Sequence, residues 1–177
     1  NLFKKTFNQI YFCLICFKKI FLNKKPSLIL VFTNPPPIVL VVYLVSKIKK
    51  IPYVIVCMDL YPEVLLANLS KKTQIITKNF LSPLFNQAYK SALNIISLGE
   101  FMNKRLINKG VQSKNIKNIN NWALGDFSVV RHPNKLSKEW QIDSKLTILY
   151  SGNLGFAHEW ETLFNAVRLG NFSSKDL

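Results

Sequence analysis

The chain has 177 residues, of which 49% are hydrophobic, so it is long enough for one domain or for one domain and part of another. Three cysteines (Cys13, Cys16 and Cys57) form no disulfide-scaffold spacing, which excludes a disulfide-stapled fold and favours a reduced, cytoplasmic setting. The CxxC spacing of Cys13 and Cys16 lies in an apolar stretch without a second ligand pair. It therefore indicates buried thiols, and we expect no metal.

The charge is strongly positive and unevenly distributed. Lys and Arg number 24 against 9 Asp and Glu, a net charge of +15, and no acidic residue precedes Asp59. Three explanations are open: a surface for anionic lipid, a surface for nucleic acid, or a codon bias towards Lys, Asn and Ile. The lysines are scattered in pairs among apolar residues without any nucleic-acid-binding motif, so we expect no nucleic acid as a partner.

The first twenty residues predict one basic amphipathic helix. Apolar residues recur at helical spacing from Leu2 to Leu22 and are interrupted by lysine pairs. The apolar run Ile10 to Ile15 leads into Lys18 and Lys19 without a cleavage site, so it is no signal peptide, and the chain reads as starting in mid-protein. The apolar stretch from Leu28 to Met58 is cut by prolines and lysines into pieces shorter than the ~20 residues of a membrane span.

The rest of the chain alternates short apolar runs with helical patterns. A continuous apolar run predicts a strand buried on both faces of a parallel sheet, and a 3.6-residue period predicts a helix. In chain order we expect a strand at 28–32, a helix at 38–47, a strand at 53–57, a short helix through Ala67, a core-packing helix with its apolar face at Ile76, Phe80, Leu84, Ala88 and Ala92, a strand at 94–97, a helix at 100–109 ended by Gly110, a short strand within 115–120, a linker from about 121 to 144, and a strand at 147–150.

These elements predict an α/β fold with a Rossmann-like parallel sheet flanked by helices. Ligands of such sheets bind beyond the carboxyl ends of the strands. Polar residues fall at these ends: Thr33 and Asn34, Asp59 and Glu63, Ser97, Gly99 and Glu100, and Gly152, Asn153 and Gly155. Because any sheet of this kind has this organisation, their position indicates a crevice but not a reaction.

The last predicted strand runs into a glycine-bearing turn. Gly152 and Gly155 permit backbone conformations that a side chain would penalise, and the helix that follows presents free N–H groups. This build suits an anion such as phosphate, although a tight packing turn uses the same residues.

In order and spacing, four segments resemble family 4 glycosyltransferases of the bacterial branch that builds capsules, exopolysaccharides and O-antigens. The segments are Thr33-Asn34-Pro35-Pro36-Pro37, Asp59-Leu60-Tyr61-Pro62-Glu63, Ser97-Leu98-Gly99-Glu100-Phe101-Met102, and Asn120-Asn121-Trp122-Ala123 together with Tyr150 to Gly155 and Ala157-His158-Glu159.

The resemblance implies a GT-B fold with two Rossmann-like domains, the first for the acceptor and the second for a nucleotide-diphosphate sugar. On this basis residues 1–143 form an acceptor-side domain without its N-terminal strand, including the linker, and 144–177 begin a truncated donor domain. The family transfers sugars with retention of configuration and needs no metal or other cofactor. Its donor groups stabilise the departing diphosphate, where negative charge develops.

The resemblance also implies roles for individual residues. Asp59 and Glu63 match the acceptor-side motif and are the candidate catalytic carboxylates, with Asn34, Gly99 and Glu100 beside them; as alternatives, Asp59 caps a turn and Glu63 starts a helix. Donor phosphate is assigned to Gly152, Asn153, Gly155 and His158, although His158 could equally be a helix-surface residue. Close relatives in this family have Arg where this chain has Phe156, so the chain has less positive charge next to the expected phosphate.

The sequence thus predicts a fragment of a retaining glycosyltransferase that moves a sugar to a glycan or lipid-linked acceptor. We expect a cytoplasmic protein, peripheral at the inner face of the membrane, whose basic helix contacts anionic lipid. The truncated chain is expected to be inactive alone. Two alternatives remain: a non-catalytic Rossmann-like binding module or degenerate remnant, and a small membrane protein.

Overall fold

The computed structural model describes residues 2–67, 69–122, 125, 135–142, 147, 149–152 and 160–170. It divides into two compact units, Asn1–Trp122 and Ala123–Leu177, which are described separately.

The first unit alternates helices and strands along the chain, as the apolar patterns predict. Its elements are α1 (Leu2–Leu22), β1 (Ile29–Phe32), α2 (Pro37–Lys49), β2 (Tyr53–Cys57), α3 (Glu63–Leu66), α4 (Lys71–Ser91), β3 (Asn94–Ser97), α5 (Glu100–Asn108), a 3₁₀ turn (Ser113–Asn115) and β4 (Ile116–Asn118). Pro37 begins α2, where a missing N–H costs nothing. Gly110, with φ +90°, follows the end of α5 in a conformation that favours glycine.

The four strands form one parallel sheet in the order β1-β2-β3-β4. Leu30 pairs with Val54, Ile55 with Ile95, and Ile95 with Ile116. This arrangement confirms the predicted α/β class and the Rossmann-like parallel sheet flanked by helices. All four strands end at the same edge of the sheet, so the loops that follow them lie side by side.

The two faces of the sheet differ in burial. Val31, Ile55 and Ile95 share one face and are at most 4% exposed. On the opposite face Leu30 and Phe32 of β1 are 57% and 52% exposed. The expectation that this strand is buried on both faces was therefore wrong for β1, because β1 is an edge strand and successive right-handed crossovers in one direction place their helices on the same face.

Helix α1 is attached to α2 along one stripe and is otherwise exposed. Cys13 belongs to the core, with Cys16 and Ile20 packed against it. The ammonium of Lys49, at the end of α2, donates to the backbone oxygens of Ile20, Phe21 and Asn23 at 3.2, 2.8 and 2.9 Å. A cation that binds the last carbonyls of a helix satisfies acceptors with no intrahelical partner and complements the helix dipole.

Helix α4 packs on the core only through its C-terminal half. Phe85, Ala88 and Tyr89 are buried, whereas Ile76, Phe80 and Leu84 are 66%, 72% and 42% exposed. The predicted continuous apolar face was therefore correct for the second half of the helix and wrong for the first. Helical periodicity reports which side chains share a face; whether a neighbouring element covers that face depends on tertiary structure.

The described part of the second unit contains two helices, α6 (Lys135–Glu139) and α7 (Trp160–Leu169). Thr147, Leu149 and Tyr150 do not belong to a strand, contrary to the prediction for 147–150. A strand forms only when a neighbouring strand exchanges backbone hydrogen bonds with it, and no strand is present among the described residues of this unit. Within the described ranges of both units, no helix combines the length and apolarity needed to cross a membrane.

Candidate functional site

Three loops at the carboxyl end of the sheet carry the acceptor-side candidates. Asn34 follows β1, Asp59 follows β2, and Gly99 and Glu100 follow β3. The sheet therefore brings these residues to one edge, as their positions after successive strands predict.

The loop after β2 is held by side chains from two other elements. The buried hydroxyl oxygen of Thr33 accepts hydrogen bonds from the backbone N–H groups of Met58 and Asp59, at 3.0 and 3.1 Å. The phenol oxygen of Tyr89, on α4, accepts one from the N–H of Tyr61 at 3.1 Å. The path of this loop is thus fixed before any ligand binds.

A cleft of about 470 Å³ opens beside this loop. It is lined by the loop and α3 on one side and by α5 on the other, through Met58, Asp59, Leu60, Glu63, Val64, Phe101, Met102 and Arg105. Both predicted catalytic carboxylates therefore line the same cleft. Apolar walls with a few convergent charged groups are typical of small-molecule sites.

The two carboxylates differ in what they contact. Asp59 is exposed, and its carboxylate makes no hydrogen bond or ion pair with the described residues. Glu63 Oε1 lies 2.6 Å from the ammonium of Lys109, whose side chain is only 8% exposed. Asp59 is therefore accessible to a ligand, whereas Glu63 already has a partner.

Burial of the groups behind the cleft keeps them neutral. The thiol of Cys57 is fully buried, and its pKa is raised from 9.0 to about 12 by burial and then by the nearby Asp59, while Lys109 acts in the opposite direction. Burial also raises the pKa of Tyr61 and that of Tyr89. At neutral pH these side chains act as hydrogen-bonding or packing groups, and none is a ready nucleophile.

The other acceptor-side candidates lie at the same edge of the sheet but outside the cleft lining. Asn34 and Glu100 are exposed. Gly99 has φ 172°, an extended conformation that any residue adopts, and a Cβ added there would meet no atom within 4 Å. The protein itself therefore imposes no requirement for glycine at this position.

The predicted donor loop falls mainly outside the described residues, which exclude Asn153, Gly155 and His158. Gly152 is described and is exposed, and its φ is not left-handed. A Cβ at Gly152 would lie 3.3 Å from the hydroxyl of Tyr150, so a side chain would require that ring to shift.

Two cations near the carboxylates were not identified from the sequence. Arg105 lines the cleft, and Lys109 pairs with Glu63. Residues 101, 102, 105 and 109 recur at the spacing of one helix face, which puts the two cations on the same face as Phe101 and Met102. That spacing was the available signal, but the partners of Lys109 come from α3 and α4.

The described ranges contain no group of three or more His, Cys, Asp or Glu residues arranged to hold a metal ion. No protein-family model matches the chain, and comparisons with curated proteins and with solved structures also found no match. The geometry of the cleft is accordingly the basis for a functional assignment.

Proposed function

We propose that the chain is the acceptor-side part of a retaining glycosyltransferase that uses a nucleotide-diphosphate sugar. The observation that carries the proposal is the cleft at the carboxyl end of the parallel sheet, which is lined by the exposed Asp59 and by Arg105. The four segments that resemble family 4 glycosyltransferases support the reaction class.

The chemistry of the cleft suits a sugar hydroxyl. An ionised carboxylate accepts strong hydrogen bonds from hydroxyl groups and can orient or activate one for attack. Phe101, Met102 and Val64 offer apolar surface to the C–H face of a sugar ring, and Arg105 offers donors to an anionic substituent. The donor diphosphate is assigned to the 152–155 loop, with no metal in the reaction.

The acceptor is proposed to be a glycan or a lipid-linked glycan in cell-surface polysaccharide synthesis. A lipid-linked acceptor places the enzyme at a membrane surface. Helix α1 supports this location because it exposes Phe7, Ile10 and Leu14 on one flank next to a face that bears Lys4 and Lys18. Apolar and basic surface in this combination favours in-plane binding to anionic lipid, and the protein would be peripheral at the cytoplasmic face.

Acceptor binding tests the proposal directly on the 177-residue chain. A panel of short-chain polyprenyl-diphosphate sugars and unlinked oligosaccharides is titrated against the protein, with binding followed by calorimetry and ligand-observed NMR. Asp59→Asn keeps the shape of the side chain but removes its charge, and we expect it to weaken binding about tenfold, or by about 1.4 kcal/mol.

Glu139→Gln is the matched control, since it removes an exposed carboxylate on α6. Unfolding curves of both variants should coincide with that of the wild type, because neither carboxylate is buried. If no member of the panel binds, or if both variants bind equally well, the acceptor assignment fails and a non-catalytic Rossmann-like module becomes the better description.

A further inference from the structure

In the ion pair between Glu63 and Lys109 the lysine is enclosed, whereas the Glu63 side chain is 41% exposed. The Lys109 side chain is 8% exposed, and its ammonium also donates to Asn86 Oδ1 at 3.2 Å. The same ammonium lies 5.9 Å from the centre of the Tyr89 ring. One lysine at the end of α5 thus contacts α3 and α4 together.

The geometry of Glu63 does not suit a proton-transfer group. Its Oε1 is held by Lys109, and its Oε2 is buried without a hydrogen-bond partner among the described residues. A general base must reach the proton that it removes. Asp59, four residues earlier, satisfies that condition because its carboxylate is exposed in the same cleft.

The contacts of Lys109 converge on the loop that carries Asp59. The loop is held at Met58 and Asp59 by Thr33, and at Tyr61 by the hydroxyl of Tyr89. Lys109 holds its end at Glu63. Removing the ammonium would leave the Glu63 carboxylate, whose Oε2 is buried, without its counter-charge, which favours an outward movement of α3.

We propose that Glu63 and Lys109 form a positioning pair that fixes the 59–63 loop so that, of the two carboxylates, only Asp59 meets the acceptor. This inference rests on the proposed function for the identity of the acceptor. The role of the pair in ordering the loop stands independently of it. Glu63 then becomes a positioning residue, and Asp59 remains the catalytic candidate.

Amide hydrogen exchange measured by NMR tests the ordering of the loop. Lys109→Met keeps the length of the side chain but removes its charge, and we expect exchange at Asp59 and Tyr61 to accelerate about tenfold while the amides of β2 are unchanged. Lys109→Arg should keep the exchange rates of the wild type, because a guanidinium can donate hydrogen bonds to both oxygens of Glu63. The control is Lys78→Met, an exposed α4 lysine that borders the same groove of about 560 Å³ as Lys109.

Glu63→Gln and the double variant Glu63→Gln/Lys109→Met distinguish positioning from direct catalysis. If the pair positions the loop, both single variants accelerate loop exchange, weaken binding of the short-chain polyprenyl-diphosphate sugar similarly, and are not additive when combined. If Glu63 contacts the acceptor itself, Glu63→Gln weakens binding without changing loop exchange, and the inference is overturned.

The two proposals fail separately. Absence of acceptor binding by the wild-type protein would refute the proposed function, while loop exchange and rescue by Lys109→Arg would still decide the role of the pair. Unchanged loop exchange in Lys109→Met would refute the positioning pair whatever binds. If Lys109→Met does not fold, Glu63→Gln and Lys109→Arg provide the same comparison.

Discussion

Thr33 shows how one buried hydroxyl supports a functional loop. Its side chain is fully buried, and its hydroxyl oxygen accepts hydrogen bonds from the backbone N–H groups of Met58 and Asp59. We expect Thr33→Val, which conserves shape, to lower the free energy of unfolding by about 2 kcal/mol because two backbone donors lose their partner. Urea unfolding measures this loss.

Thr77→Val provides the control for that measurement, since Thr77 is half-buried on α4 and no hydrogen bond of its hydroxyl is seen within the described residues. Its effect should stay within about 0.5 kcal/mol. Equal stability of the Thr33→Val variant and the wild type would show that the hydroxyl does not support the loop.

Cys57 gives stability a predictable dependence on alkaline pH. The unfolded thiol ionises near 9.0 and the folded thiol near 12, so between these values the unfolded chain binds fewer protons and stability falls as pH rises. Below pH 9 the contribution is fully present. We expect Cys57→Ala to reduce the slope above pH 9 by up to about 1.4 kcal/mol per pH unit.

Urea unfolding at a series of pH values checks this prediction. The buried phenols of Tyr53 and Tyr89, whose pKa values burial also raises, leave a residual slope in the variant. A constant difference between wild type and variant at every pH would show that Cys57 ionises equally in both states.

At the scale of elements, α1 combines a buried stripe with an exposed apolar and basic surface. Phe7 and Leu14 are 61% and 62% exposed. We expect the 177-residue chain to sediment with vesicles that contain anionic lipid, and salt to reduce this binding because the lysine contribution is screened. Replacing both residues with Ser should lower the binding constant about tenfold, through the loss of buried apolar area.

The matched control replaces Ile75 and Ile76 of α4, which are 62% and 66% exposed, with Ser. This double variant should bind vesicles as the wild type does. Vesicle binding that does not depend on lipid charge and salt would contradict the assignment of α1 as the membrane-binding element. So would an equal loss of binding in both double variants.

Most element boundaries follow from local patterns. The helix at Leu2–Leu22 and the strands Tyr53–Cys57 and Asn94–Ser97 coincide with the predicted ranges, because period and turn residues are properties of adjacent positions. Burial was predicted less well. The exposed Phe80 and Phe32 are apolar residues in regular elements, and only the placement of neighbouring elements determines whether they are covered.

At the scale of the whole molecule, we expect the purified 177-residue chain to transfer no sugar from nucleotide-sugar donors to any acceptor that it binds. A departing diphosphate needs several preorganised donors, and the resemblance assigns only the 152–155 loop and His158 to that task. A radiolabelled transfer assay with a panel of donors measures the activity. Product formed by this chain would contradict the prediction.

The candidate site was predictable in part. Asp59 and Glu63 could be placed near one cleft from sequence, because parallel strands bring the residues that follow them to a common edge. The chemical difference between them could not, because the partner of Glu63 lies at the end of α5. The role of Arg105 could not be predicted either, since its place in the cleft depends on how α5 lies relative to α3.

The sequence by itself determined the α/β class, the order of strands and helices as far as β4, the basic character of the N-terminal helix and the edge of the sheet where polar residues gather. These features depend on spacing and composition along a continuous stretch of chain. Tertiary structure decided that Asp59 is exposed and Glu63 is paired, and which apolar faces are covered. Such outcomes depend on contacts between distant residues, as between Thr33 and Asp59, 26 positions apart.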